Sequence, residues 1–257
     1  MQVNQLITAL INAESNKEPI NFIKDKFDLS EGEYYDIQKE LVKQKEAMFN
    51  SSVAGYKISM TSSDTQAIAN THEPAYGTFL AYQIQKETKE IKLTDLLDPL
   101  LEPEIVFQLN EDLSSDADHQ EVIKKSTIYL GAEIPDSRYS NWFPNFSLTD
   151  LICDNAFAGR LILSEDSFTA EDVAYEGIDM QLYHNNKLIE EGASKNVLGN
   201  PINSIIWLNN KHISQGYGHL TKGLKISSGT LSAPVRLKSG EYEIVFSGLG
   251  TMKLNCL

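Results

Sequence analysis

Two glutamates separated by a proline, Glu102, Pro103 and Glu104, head an apolar run at residues 105–109. Proline restricts the residue before it to extended geometry, so Glu102 and Glu104 point to the same side of a strand. From there the chain alternates. Glu104, Val106 and Gln108 share one face, while Ile105, Phe107 and Leu109 share the other. A third acid, Glu133, lies in a similar stretch at 129–134, on the face of Tyr129 and Gly131 and opposite Leu130, Ala132 and Ile134. Carboxylates beside buried apolar strands must be protonated, hydrogen-bonded or paired with a cation. Three that converge would make an oxygen-ligand site for a hard divalent ion such as magnesium or manganese. The plain alternative is solvated acids at strand ends, since spacing alone does not make the two strands neighbours.

Lys57 is the next candidate. On a strand at 55–60 it shares a face with Gly55 and Ser59, opposite Tyr56, Ile58 and Met60. A lysine that faces a pocket can hold a substrate carboxylate, or move protons if its pKa is lowered; a lysine on an exposed strand face is the alternative. His72, His119, His184, His212 and His219 show no ligand spacing. No Gly-x-Ser-x-Gly elbow and no phosphate-binding loop occurs, which argues against covalent acyl chemistry.

The 257 residues are enough to bury a sizeable core, and 41% apolar with 23% charged residues is ordinary for a globular protein. The formal net charge is −14, and Lys39, Lys43 and Lys45 alternate with Glu40 and Glu46 as a solvated helix face. Nucleic acid and anionic membrane surfaces are therefore disfavoured as partners. Cys153 and Cys256 form neither a disulfide framework nor a metal motif. With no signal-type start and no apolar run of spanning length, the expected location is the cytoplasm.

The elements that must position these residues change character at about residue 52. Before it, Leu6, Leu10 and Ile11 form a short helical stripe, and Ile20, Ile23 and Phe27 a second. Ser30 with Glu33 forms a capping box for a helix carrying Tyr34, Ile37, Leu41 and Val42. After it come strands at 55–60, 76–82, 104–109, 127–134, 160–163, 178–184, 225–228, 234–237, 242–246 and 251–254, with a hairpin turning at Asn185-Asn186. One helix interrupts them, capped by Asn200, opened by Pro201 and ended by Gly216. Residues 111–125, rich in Asp, Ser and Glu and carrying His119, read as a mobile loop. The expected class is α+β: a helical N-terminal region at 1–52 on a β-rich catalytic domain at 53–257.

Six stretches in collinear order, from about residue 30 to the end, resemble the 2-keto-4-pentenoate hydratase and 4-oxalocrotonate decarboxylase family of the fumarylacetoacetase-like superfamily. They are GYKISMTS (55–62), EPEIVFQLNEDL (102–113), GAEIPDSRY (131–139), DLICDNAFAG (150–159), GASKNVLGNPINSIIWL (192–208) and GLGTMKL (248–254). The resemblance implies a mixed β-roll with helices packed outside, around a magnesium or manganese site. The family's Glu-x-Glu pair falls on Glu102 and Glu104, its third acid on Glu133 and its motif lysine on Lys57. Asp136 and Arg138, just after Glu133, could hydrogen-bond ligand carboxylates, with an ordinary surface salt bridge as the alternative, and Asn155 and Phe157 are taken as substrate-binding positions. Arg160 is a further candidate, either to receive a second substrate carboxylate or to point to solvent.

The implied substrate is a 2-oxo or 2-hydroxydienoic acid whose carboxylate and 2-oxygen chelate the ion. The leading expectation is hydration of 2-hydroxypenta-2,4-dienoate to a 4-hydroxy-2-oxo acid. Decarboxylation of 2-oxo-3-hexenedioate by the same electron sink is the alternative, and a non-catalytic 2-oxo-acid-binding or partner subunit a third. The family resemblance also implies a homo-oligomer and association between hydratase and decarboxylase members. Two positions depart from the family's pattern. Ala75 stands where some hydratases carry aspartate, and Phe157 stands where the family pattern has serine, so a phenyl ring that cannot position a water replaces a hydroxyl.

Overall fold

The computed structural model describes residues 3–24, 29–86 and 90–257. Helices α1 (Val3–Asn16) and α2 (Glu31–Phe49) open the chain. They are followed by β1 (Val53–Ser59), α3 (Ser63–Ala69), β2 (Ala75–Leu80), β3 (Ile84–Lys86) and β4 (Glu90–Ile91). The middle of the chain carries β5 (Leu100–Leu109), α4 (His119–Lys124), β6 (Ser126–Ile134), α5 (Leu148–Cys153) and β7 (Arg160–Thr169). The hairpin β8 (Asp179–His184) and β9 (Lys187–Ala193) leads to α6 (Pro201–Ser214). Strands β10 (Lys225–Thr230), β11 (Val235–Arg236), β12 (Gly240–Phe246) and β13 (Gly250–Cys256) close the chain.

Among the described residues the strands form two mixed sheets, β2-β1-β10-β5-β6-β7-β3 with β11 beside β5, and β4-β13-β12-β8-β9. The larger sheet is strongly curled. Flat, β1 and β6 would lie about 14 Å apart across three strand spacings, yet Lys57 on β1 pairs directly with Glu133 on β6. Only a rolled sheet brings those side chains together inside. Helices α1 and α2 share the core of the body, since Leu6, Leu10, Ile37 and Leu41 join the same buried cluster as Ile105, Phe107 and Ile226. Gln38 on α2 donates to the Tyr76 and Ile152 carbonyls, tying that helix to β2 and α5.

Two expectations are corrected. Ile20 to Lys24 is not a helical turn: Ile20 bridges Tyr139, and the Ile23 and Lys24 amides donate to the Asp150 carboxylate. Phe27 lies outside the described residues. Residues 111–125 are not a mobile loop, because Asp118 caps α4, Val122 and Leu113 are buried, and Glu121 accepts from Ser114 and Lys125. The capping box of Ser30 and Glu33 is present as expected, whereas α3 and α5 were not signalled by periodicity because each is too short to display it.

Helix α6 buries His212 among the rings of Tyr56, Tyr76 and Tyr217. Its Nε2 is buried without a hydrogen-bond partner, and burial lowers its pKa to about 4. The folded state thus excludes a proton that the unfolded chain binds near 6.5. The neutral ring's advantage is complete above about pH 6.5 and is lost as pH falls toward 4, an effect of up to about 3 kcal/mol. Denaturant unfolding of the protein and of His212→Leu at pH 7.5 and 4.5 should show the smaller pH loss in the variant. Equal losses would refute this.

Candidate metal centre and active-site pocket

The acids converge because of strand register. Glu102 on β5 lies opposite Glu133 on β6, and Glu104 lies opposite Gly131, which has no side chain to separate the acids. Glu102, Glu104 and Glu133 each offer a carboxylate oxygen within 4.8 Å of the others. Glu104 and Glu133 are fully buried, while Glu102 is partly open to the adjoining pocket.

The surroundings fix two of the three. The Ser227 hydroxyl donates to Glu104 Oε2 at 2.5 Å and the Gly229 amide donates to the same oxygen at 2.7 Å. Strand β10 carries an irregularity between Ser227 and Thr230, which turns that amide inward. Gly229 has φ +118°, and a Cβ there would lie 2.4 Å from Thr61 Oγ1, so glycine is required on both counts. Lys57, 2% exposed, pairs with Glu133 Oε1. Glu104 Oε1 and Glu133 Oε2 remain buried with no partner.

Three crowded carboxyls facing one ammonium set the electrostatics. Burial raises Glu102 to about 7, with Lys57 pulling it down and Glu133 pushing it up. Burial raises Glu104 well above the usual carboxylate range, reinforced by Glu133 and Glu102. For Lys57, burial opposes the charge, but Glu133, Glu102 and Glu104 together outweigh it and raise the pKa. Two orphaned buried oxygens within an all-carboxylate donor set fit a hard divalent cation, which prefers oxygen ligands.

A narrow pocket opens above this cluster. Its inner space is about 30 Å3, room for one or two waters. Lys57, Glu102, Ser59, Thr61, Thr65 and Thr230 supply its polar lining, and Leu100, Pro135, Trp142, Phe143, Phe146 and Phe157 its apolar wall. Met60, also in the lining, holds φ +60°, a strained setting for a non-glycine residue. Phe157 is positioned by three successive left-handed residues, Asn155, Ala156 and Phe157 at φ +53°, +48° and +57°. Asn155 pins that turn by accepting from the Thr78 amide and donating to the Thr78 carbonyl, both at 2.8 Å. Gly77 makes room for it, since a Cβ there would lie 2.3 Å from the Asn155 carbonyl oxygen.

The structure therefore brings Lys57, Glu102, Glu133 and Glu104 together and adds Phe157 in the wall. It does not bring the other candidates to the pocket. The Asp136 carboxylate accepts from the Leu97 and Asp98 amides, holding the loop before β5. Arg138 donates from Nε to Asp154 Oδ1 at 2.5 Å and from its other nitrogens to the Asp136 and Asp154 carbonyls. Its charge is spent inside the protein. Arg160 faces a different cavity and pairs with Asp95 at 3.3 Å. Asn155 acts through the turn it pins. Ser227, Gly229 and the aromatic wall at 142–146 escaped sequence reasoning; the only signal was the dense aromatic run Trp142-Phe143-Pro144-Asn145-Phe146.

No protein-family model matches the chain. It is 28% identical over 256 residues to the 2-keto-4-pentenoate hydratase of Paraburkholderia xenovorans, covering 98% of this chain and 94% of that protein. It is 30% identical over 223 residues to the TodF product hydratase of Pseudomonas putida, covering 85% and 81%. Among solved structures it resembles 4-oxalocrotonate decarboxylase from Pseudomonas putida G7, complexed with magnesium and adipate. The TM-score is 0.91 at 25% identity, over 100% of this chain and 99% of the other. The curled mixed sheet is of the fumarylacetoacetase-like fold, and the hydratases and decarboxylases that the chain matches make it a lyase. The chain belongs to the family of 2-keto-4-pentenoate hydratases and 4-oxalocrotonate decarboxylases. No described helix is long and apolar enough to cross a membrane.

Proposed function

We propose that this protein is a divalent-metal-dependent hydratase that converts 2-hydroxypenta-2,4-dienoate, or a close analogue, to a 4-hydroxy-2-oxo acid. The observation that carries the reading is the meeting of three buried carboxylates and Lys57 at the base of one narrow pocket. Glu102, Glu104 and Glu133 would hold Mg2+ or Mn2+. The ion supplies the positive charge that stabilises an enolate-like electron distribution in the substrate.

The chain's own groups do the rest. Lys57 lines the base of the pocket, where its ammonium would orient the substrate's carboxylate and, kept protonated by the neighbouring acids, serve as a proton donor during enol-to-keto tautomerism. Water then adds across the conjugated double bond, its hydroxyl going to C4 and a proton to C3. Phe157 cannot guide that water, so the task falls to the hydroxyls lining the pocket, Ser59, Thr61 and Thr65. The aromatic wall excludes further solvent and strengthens the electrostatic interactions inside.

Decarboxylation of 2-oxo-3-hexenedioate could use the same electron sink. The cation considered for its second carboxylate, Arg160, is paired with Asp95 outside the pocket, so hydration is preferred. A non-catalytic subunit would not require a lysine buried among three acids. The reading places the enzyme in the cytoplasm as a homo-oligomer, and sedimentation of the purified protein tests that assembly. For the activity, magnesium-loaded protein is mixed with 2-hydroxypenta-2,4-dienoate and loss of dienol absorbance is followed. Decay that stops with a chelator and returns with added metal is expected. A folded, metal-loaded protein that leaves the dienol untouched would overturn hydration.

A further inference from the structure

Along β5 and β6, the side of the pocket away from the metal centre is apolar. Glu104, Glu102 and Leu100 lie two residues apart on one face of β5, and Pro135 follows Glu133 by two on the continuation of β6. Each two-residue step advances about 6.6 Å. A 2-oxo acid whose carboxylate and 2-oxygen would sit at a cation held by the glutamates has Leu100 and Pro135 along its path into the pocket. There Trp142 and Phe146 pack against the Phe157 ring, with centroids 4.7 and 5.1 Å from it.

Among the described residues no cation lines the far end of the pocket; Arg236, which pairs with Leu100 in strand register, is turned to Asp98 and the Phe143 carbonyl. Lys57 is the only Lys or Arg among the described pocket-lining residues, and it is held by Glu133. Arg138 and Lys45, the nearby buried bases, are committed to Asp154 and Glu14. The pocket opens through Thr61, Thr65, Phe143 and Thr230 into an outer cavity of about 730 Å3. Three acids, Asp64, Glu190 and Glu191, line that mouth against one base, Lys195.

Resting on the hydratase reading, we infer that Leu100, Trp142, Phe146 and Phe157 form a specificity wall that selects substrates with a neutral, apolar far end and rejects dicarboxylic ones. A second carboxylate driven against this wall would be desolvated with no partner, and the acidic mouth would repel it on entry. This separates the chain from its structural neighbour, whose complex contains the dicarboxylate adipate.

The test uses two unreactive six-carbon probes, 2-oxohexanoate and 2-oxoadipate, which differ in one terminal group. Calorimetry on magnesium-loaded protein should find 2-oxohexanoate bound more tightly by at least about 100-fold, as for a charge buried without a partner. Equal binding, or tighter binding of 2-oxoadipate, overturns the inference while leaving 2-oxo-acid recognition intact. Binding of neither probe overturns the 2-oxo-acid reading itself, and the inference with it. In Phe157→Ala, a phenyl-tailed 2-oxo acid should gain about tenfold on 2-oxohexanoate. No gain would remove Phe157 from the wall.

Discussion

Exchanging Glu104 for glutamine should weaken magnesium binding by at least about 100-fold and abolish turnover, while making the metal-free protein more resistant to heat. The two signs share one cause. Glu104 is fully buried, with Oε2 satisfied by Ser227 and Gly229 and Oε1 unpartnered beside two other acids. A glutamine keeps its carbonyl for the two donors and turns an NH2 toward the vacated position. It then presents hydrogens where a cation needs a lone pair, which costs more than the 10–100-fold typical of disturbing a ligand's support. Without metal, the same change removes one of three desolvated acids that compete for a single lysine, and crowding of that kind is costly. Calorimetric titration with magnesium and a melting curve without it read the two effects separately. A variant that binds magnesium normally would remove Glu104 from the ligand set.

The acids were legible because a strand has period two. Once Glu102 and Glu104 share a face with Val106, their side of the sheet is settled, and Lys57 follows by the same rule on β1. The curl that joins β1 to β6 is a property of the whole sheet, so the Lys57–Glu133 pair was beyond local pattern. Asp136 and Arg138 failed as ligand-binding candidates for a related reason. A charged residue after a buried strand looks the same whether it meets a ligand or a protein partner. Arg138 meets Asp154, 16 residues further on, and nothing in its own neighbourhood announces that. The wall at 142–146 lies in a loop without periodicity, so its aromatic content was visible but its direction was not. The 111–125 segment was misjudged on polarity alone. Asp118, whose side chain accepts from the Glu121 amide, is a helix start that composition concealed.

Lys57→Met should lower kcat by about 100- to 10,000-fold, the range for removing a positioned acid–base group, while magnesium binding is retained or tightened. A merely structural lysine would not produce that split. Methionine fills much of the same buried volume, so packing along β1 is largely kept. It lacks the charge that Glu133 now engages, which frees a carboxylate oxygen and removes the positive neighbour that any bound cation must tolerate. If Lys57 only balanced the acids, a metal-loaded Lys57→Met enzyme would turn over nearly as fast as the parent. If it holds the substrate carboxylate and moves protons, KM rises and kcat collapses with the metal site intact. Lys57→Arg sharpens the distinction. The guanidinium keeps the charge and can still orient a carboxylate, but it is a far weaker proton donor than an ammonium. It should therefore restore KM more than kcat, and equal restoration of both would reduce Lys57 to a substrate anchor.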